Sequence, residues 1–247
     1  MTERKIYANA PITEAIIDLR VVPCPDLELD TLKQLCEDTK VEYPNIDPII
    51  EVAGMVQIQP GVSASASAQQ NQTGYRSISS DGKLVCQRQL QGFTFSRLAP
   101  YESWEPFRDL ARSFCDVYRS TTKPLSVERM AVRYINQINV PESSVELTEY
   151  FRTSPEISSD LPQQIDGLFM QVRLPQKDIG AAVVLNQTIA PPTKPDVISV
   201  IFDIDIFSEE TVLVDDNAIW EYFEILHSRK NEIFEACITD RTRELFN

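Results

Sequence analysis

Two aspartates offer the clearest pattern for chemistry. Asp203 and Asp205 lie in VISVIFDIDIF (197–207), and the alternation of residue types there is typical of a β-strand. On a strand the two carboxylates share one face and lie about 6.5–7 Å apart. Such a pair could hold a divalent metal ion, act as general acid and base, or bind a cationic ligand. We do not favour a metal site. We expect that the two aspartates lie on a solvated outer face or pair with neighbouring arginines.

Arginines and a third aspartate lie in other predicted strands. Asp18 and Arg20 share one face of AIIDLRVV (15–22), and Arg133 lies in the middle of AVRYINQI (131–138). Arg97 lies near the end of GFTFSRL (92–98), on the same side of that predicted strand as its two phenylalanines. Charged residues within apolar strands must face water or be paired. We therefore predict a charged network on one sheet face, formed by Asp18, Arg20, Arg97, Arg133, Asp203 and Asp205. This network would bind a polar or peptidic ligand or serve as a salt-bridge network between strands.

No recognised catalytic or cofactor motif accompanies these residues. The chain has no phosphate-binding glycine loop, no GxSxG and no HExxH, and its only histidine is His227. The five cysteines include no CxxC pair, so a Cys/His zinc site is not expected. Cys36, Cys115 and Cys237 are predicted to be small core residues. We therefore predict no catalytic residue, no metal and no cofactor, and we favour a non-enzymatic role.

Charge and hydropathy limit the classes of partner. The net charge is −14, and it is concentrated in residues 124–247, where 10 basic and 21 acidic residues give −11. An acidic surface repels phosphate backbones, so nucleic-acid binding is disfavoured and a basic protein partner is favoured. No run of 18 apolar residues is present, and the start of the chain, MTERKIYANAP, lacks the apolar stretch of a signal peptide. We expect a cytoplasmic protein that does not enter the membrane.

The predicted elements follow the order β-α-β-β-β-α twice. Strands are predicted at 15–22, 50–59, 75–79, 83–98, 127–140, 167–174, 181–189 and 197–207. Helices are predicted at 30–39, 104–119, 147–152 and 217–238, the last of them capped by Asp215 or Asp216. Asp30 and Ser103 are the expected N-caps, and 61–74, which has no large apolar residue after Val62, is expected to be a mobile hairpin loop or flap. The motif W-E-x-F-x-x-L opens a helix at both Trp104 and Trp220.

This repetition predicts an α+β fold built by duplication. Residues 1–123 and 124–247 would form two similar halves within a single two-lobed unit. Their sheets would join edge to edge into one curved antiparallel sheet with the helices on its convex side, which hides two sheet edges. Such a saddle is similar in architecture to TATA-binding proteins, although the acidic charge argues against the same ligand.

Five segments resemble an uncharacterised, sporadically distributed bacterial family of similar length. They are NAPITEAIIDLRV, FTFSRLAPYESWEPF, VRYINQI, FDIDIF and FEACITDRTRELF, which together span about residues 8 to 246. The resemblance implies a bacterial source and carriage on mobile or defence-related loci, and it implies no activity. Its signature positions would be Pro11, Glu14, Arg97, Pro100, Tyr101, Trp104, Arg133, Tyr134, Asn136, Asp203 and Asp205, which adds Asn136 to the candidate binding residues.

The function we predict is that of a non-catalytic binding or adaptor subunit whose protein partner is encoded nearby. One alternative is a metal-dependent hydrolase or nuclease that uses Asp203 and Asp205, with Arg97 or Arg133 holding an anion. Another is a chaperone-like module that binds peptides through an exposed apolar patch. The sequence is also compatible with self-association into a homo-oligomer.

Overall fold

The computed structural model describes residues 7–57, 65–142, 146–162, 165–192, 194–209 and 216–247. Its strands are β1 (Ile12–Val22), β2 (Asn45–Gln57), β3 (Ser65–Ile78), β4 (Leu84–Gln89), β5 (Gly92–Leu98), β6 (Ser126–Val140), β7 (Phe169–Gln176), β8 (Ala181–Ala190) and β9 (Ile198–Ser208). Its helices are α1 (Leu29–Glu37), α2 (Trp104–Thr122), α3 (Leu147–Tyr150), α4 (Asp216–Cys237) and α5 (Asp240–Glu244). This confirms the predicted α+β class.

All nine strands join one antiparallel sheet in the order β2-β3-β4-β5-β1-β6-β9-β8-β7. The strands of residues 1–123 and those of 124–247 meet at the centre, where β1 pairs with β6. The single antiparallel sheet confirms the prediction. Within the part of the chain that the structure describes, no helix is both long and apolar enough to cross a bilayer.

One face of the sheet carries the hydrophobic core. Ile17, Phe95, Val132 and Ile206 are paired in register across four strands, and all are fully buried. Because paired residues of antiparallel strands point to the same side, these side chains form one continuous apolar row.

Helices cover this apolar face. The α2 ring of Phe107 lies 6.0 Å from Phe95, and the α4 ring of Phe234 lies 6.3 Å from Phe202 of β9. One side of α2 is buried, including Trp104 and Cys115, and the burial of Cys115 confirms its prediction as a core residue. Cys36 and Cys237 are buried as well, as predicted.

Several local predictions are corrected. The segment 65–74, expected in a loop or flap, belongs to β3 and pairs with residues 49–57 of β2. Residues 61–64 lie outside the described residues. The predicted strand 83–98 is two strands, because the chain turns between Gln89 and Gly92. Asp30 is not the N-cap of α1, since the helix already begins at Leu29. Ser103 does occupy the N-cap position of α2, as predicted, although its side chain makes no capping hydrogen bond.

Candidate functional site

The strand register places most of the charged candidates on the sheet face opposite the helices. Arg133 of β6 lies directly between Ile16 of β1 and Asp205 of β9. Its neighbours in the chain, Val132 and Tyr134, point to the helical core and are buried. We call this second side of the sheet, on β5, β1, β6, β9 and β8, the paired face.

The first cluster on the paired face joins four strands. Asp18 of β1 accepts hydrogen bonds from Thr94 Oγ1 at 2.8 Å and from Arg129 Nη1 at 2.9 Å. The other terminal nitrogen of Arg129 donates to Asp205 Oδ2 at 2.7 Å, so one guanidinium bridges the carboxylates of β1 and β9. Arg20, whose side chain is 66% exposed, lies 3.7 Å from Asp18 and is peripheral.

The second cluster is centred on Asp203. Arg133 donates to it in a bidentate pair, from Nε to Oδ1 at 2.8 Å and from Nη2 to Oδ2 at 2.7 Å. Asn186 of β8 donates to the same carboxylate at 2.9 Å and accepts from Gln171 of β7 at 2.8 Å. The side chain of Asp203 is only 7% exposed, and this set of donors compensates the charge that is removed from water.

The electrostatics of the two clusters are nearly balanced. Three aspartates and three arginines contribute to them, and the Asp203 carboxylate raises the pKa of Arg133 by accepting its hydrogen bonds. Burial raises the pKa of Asp205 above its ordinary value, although the Arg129 and Arg133 guanidiniums act in the opposite direction. Oδ1 of Asp205 is buried and has no hydrogen-bond partner within the described part of the chain, so there this carboxylate is only half satisfied.

Two of the predicted site residues lie elsewhere. Arg97 shares its side of β5 with Phe95 and pairs in register with Ala15, so it points to the helical side. There its guanidinium contacts the Pro100 carbonyl at 3.3 Å and Glu102 at 3.4 Å. The prediction that it joins the charged network on a common face was therefore wrong.

Asn136 also lies on the helical side, in register with Phe202. It is buried, and its amide donates to the Phe202 carbonyl at 3.0 Å. This contact is a cross-strand bond within the core.

Sequence reasoning missed Arg129, which makes the only side-chain link between the β1 and β9 carboxylates among the described residues. The signal was present, because Arg129 and Arg133 are four residues apart on one strand and so share a face. By the same alternation, Asn136 lies on the opposite face of β6 from Arg133, because the two are three residues apart.

Apolar side chains are interleaved with the ion pairs of the paired face. Five of them are partly exposed: Ile16, Ile135, Val184, Ile201 and Phe207. The Arg129 guanidinium lies over the Phe207 ring at 4.5 Å. The face therefore combines fixed charges with accessible hydrophobic area.

Both aspartates of the candidate pair have arginine partners. Asp203 and Asp205 are both held by arginines, and the described residues contain no group of three or more His, Cys, Asp or Glu side chains placed to hold a metal ion. His227 lies on the other side of the sheet, where it stacks on Trp104 at 4.1 Å between ring centroids.

No protein-family model matches the chain, and no curated protein matches it either.

Proposed function

We propose that this protein is a non-catalytic binding or adaptor subunit that docks a basic protein partner on the paired face. The observation that carries the proposal is the combination of cross-strand ion pairs with partly exposed apolar side chains on one sheet face. Protein interfaces are enriched in arginine and in apolar residues that exclude water, and this face offers both. Its carboxylates already have partners, so the surface is rigid before a partner arrives.

Charge supports the choice of a basic partner. The chain carries −14, and residues 124–247 carry most of it. Such a field steers a basic protein toward the acidic half and repels nucleic acid. The clusters themselves are close to neutral, so contact on the paired face would rest on shape and apolar area.

We also infer that the two halves arose by duplication and form a saddle-shaped sheet. The repeated W-E-x-F-x-x-L motif at Trp104 and Trp220 supports this inference. The strand order supports it in part. From the centre outward the halves read β1-β5-β4-β3-β2 and β6-β9-β8-β7, so both run in reverse chain order after the central strand, but the first half has one strand more than the second. The resemblance to a sporadic bacterial family supports a cytoplasmic setting and a partner encoded nearby.

Site-specific photo-crosslinking tests the docking site. A photoreactive amino acid at Ile201, on the paired face, is compared in the native host with the same group at Val117, which is 53% exposed on the outer side of α2. We expect one basic protein to be captured from position 201 and not from 117. With that partner purified, Ile201→Glu should weaken binding at least tenfold, whereas Val117→Glu should leave it unchanged. Equal capture or equal affinity at both positions would overturn the proposal.

The alternatives give different outcomes. A rise in melting temperature with millimolar Mg²⁺, Mn²⁺ or Ca²⁺ that is lost in Asp205→Asn would support the metal-dependent hydrolase or nuclease and contradict a non-catalytic role. Binding of unfolded chains in general, in place of one protein, would support the chaperone-like module.

A further inference from the structure

A buried arginine lies far from the paired face, beneath α1. Arg88 of β4 is 2% exposed and points to the helical side, between α1, β3 and α2. An arginine remains protonated at every physiological pH, so a full positive charge lies within the core here.

All the groups that contact this guanidinium are neutral. Nη1 donates to Ser77 Oγ at 3.0 Å and to Cys36 Sγ at 3.4 Å, and Nη2 donates to Thr39 Oγ1 at 3.5 Å. The Phe114 ring lies 5.3 Å away. Among the described residues no carboxylate forms an ion pair with Arg88.

The nearby thiols do not supply the missing negative charge. Burial raises the pKa of Cys86 to about 12, and it also raises the pKa of Cys36 against the opposing effect of Arg88. Both thiols are therefore protonated at neutral pH. A buried charge without a counter-ion is strongly unfavourable, which makes this location unlike the balanced clusters of the paired face.

An unsatisfied polar group lies in the same part of the core. Tyr43 is 3% exposed, and its buried hydroxyl has no hydrogen-bond partner among the residues that the structure describes. Its ring packs edge-on against Phe114 at 5.1 Å, so it shares a neighbour with Arg88. Burial raises the pKa of Tyr43, and the phenol therefore keeps a proton that needs an acceptor.

We propose that Arg88 and Tyr43 form a buried site for a small inorganic anion of the halide type. One anion would balance the guanidinium and accept the phenol hydrogen bond, which meets both needs at once. A halide fits better than phosphate, because phosphate requires several donors and carries more charge than one guanidinium balances. Thr39, which is only half-buried, marks the side from which the ion would enter.

Crystallography in bromide tests the location directly. Crystals of the full chain grown in sodium bromide should give an anomalous peak within hydrogen-bond distance of Arg88 and the Tyr43 hydroxyl. A water molecule in that position, or no density, would overturn the proposal.

Unfolding measurements test it in solution. At constant ionic strength, replacement of a bulky anion such as gluconate by chloride should raise the melting temperature by about 3 °C once chloride reaches ten times its Kd. Arg88→Met should abolish this response, and Arg76→Met, at an exposed arginine on β3, should retain it. If Arg88→Met does not fold, Tyr43→Phe provides a second variant, with an expected weakening of the chloride response. A wild-type protein that does not respond to chloride, or an Arg88→Met variant that responds equally, would refute the site.

Discussion

Replacement of Arg133 by methionine tests how firmly the paired face is held together. The Arg133 side chain is 43% exposed, which by itself suggests a mild effect. Its partner Asp203 is 7% exposed and would retain only the Asn186 amide as a side-chain donor. Because the cost arises from the carboxylate that is left behind, we expect a loss of about 3 kcal/mol in the free energy of unfolding.

A double-mutant cycle in urea measures the pair itself. Asp203→Asn removes the charge and keeps the shape, so the double variant should be less destabilised than the sum of the single changes. Two charge-assisted hydrogen bonds in a partly buried site predict a coupling of about 2 kcal/mol. The matched control is the exposed pair of Arg76 and Asp47, whose expected coupling is about 0.5 kcal/mol. Equal coupling in the two cycles would refute the view that the paired face is more than ordinary surface.

Two further predictions concern a titrating group and a close backbone contact. Burial raises the pKa of Asp205 above its ordinary 3.8, so the folded protein binds this proton more tightly than the unfolded chain. Relative to Asp205→Asn, the wild type should therefore lose stability as the pH rises from 3.8 through the raised value, and a difference in urea midpoint that does not vary with pH would contradict this. A Cβ at Gly74 would lie 2.2 Å from the Arg88 carbonyl oxygen, whereas one at Gly54 meets nothing within 4 Å. Gly74→Ala should cost about 3 kcal/mol and Gly54→Ala less than about 0.5 kcal/mol by thermal unfolding, and similar losses would count against the close approach of β3 and β4.

The sequence predicts the central strands and the long helices well, because their residue types match their surroundings. In β9, Ile204 and Ile206 face the helices while Asp203 and Asp205 face away, and this alternation is visible without a structure. In α2 the buried residues, such as Trp104, Phe107 and Ala111, recur at helical spacing, which is likewise visible in the sequence.

The edge of the sheet was not predictable in this way. Residues 65–74 of β3 contain small and polar side chains, so no apolar periodicity marks a strand. They are held by backbone pairing with β2, as in the register of Ala53 with Gln69. Such pairing depends on the neighbouring strand, which a single sequence does not reveal.

The candidate site was predicted in part for a related reason. The strand alternation correctly placed Asp18, Asp203 and Asp205 on one face, but the ion pairs run diagonally between strands. Arg133 lies opposite Asp205 in register yet binds Asp203, whereas Arg129 binds Asp205. Partner choice on a sheet depends on register and side-chain reach, which appear only when the strands are assembled.

The central position of β1 has a consequence for synthesis on the ribosome. This strand emerges before both of its neighbours in the sheet, which are encoded much later, β5 from Gly92 and β6 from Ser126. At about 5–20 residues per second, some 70 residues must be added before the first neighbour exists, which takes roughly 4–14 s. Throughout that interval the nascent chain carries an apolar strand with two open edges. Chaperones that shield emerging apolar segments would therefore act on this protein at β1, and slower translation would prolong the exposure of this strand to aggregation.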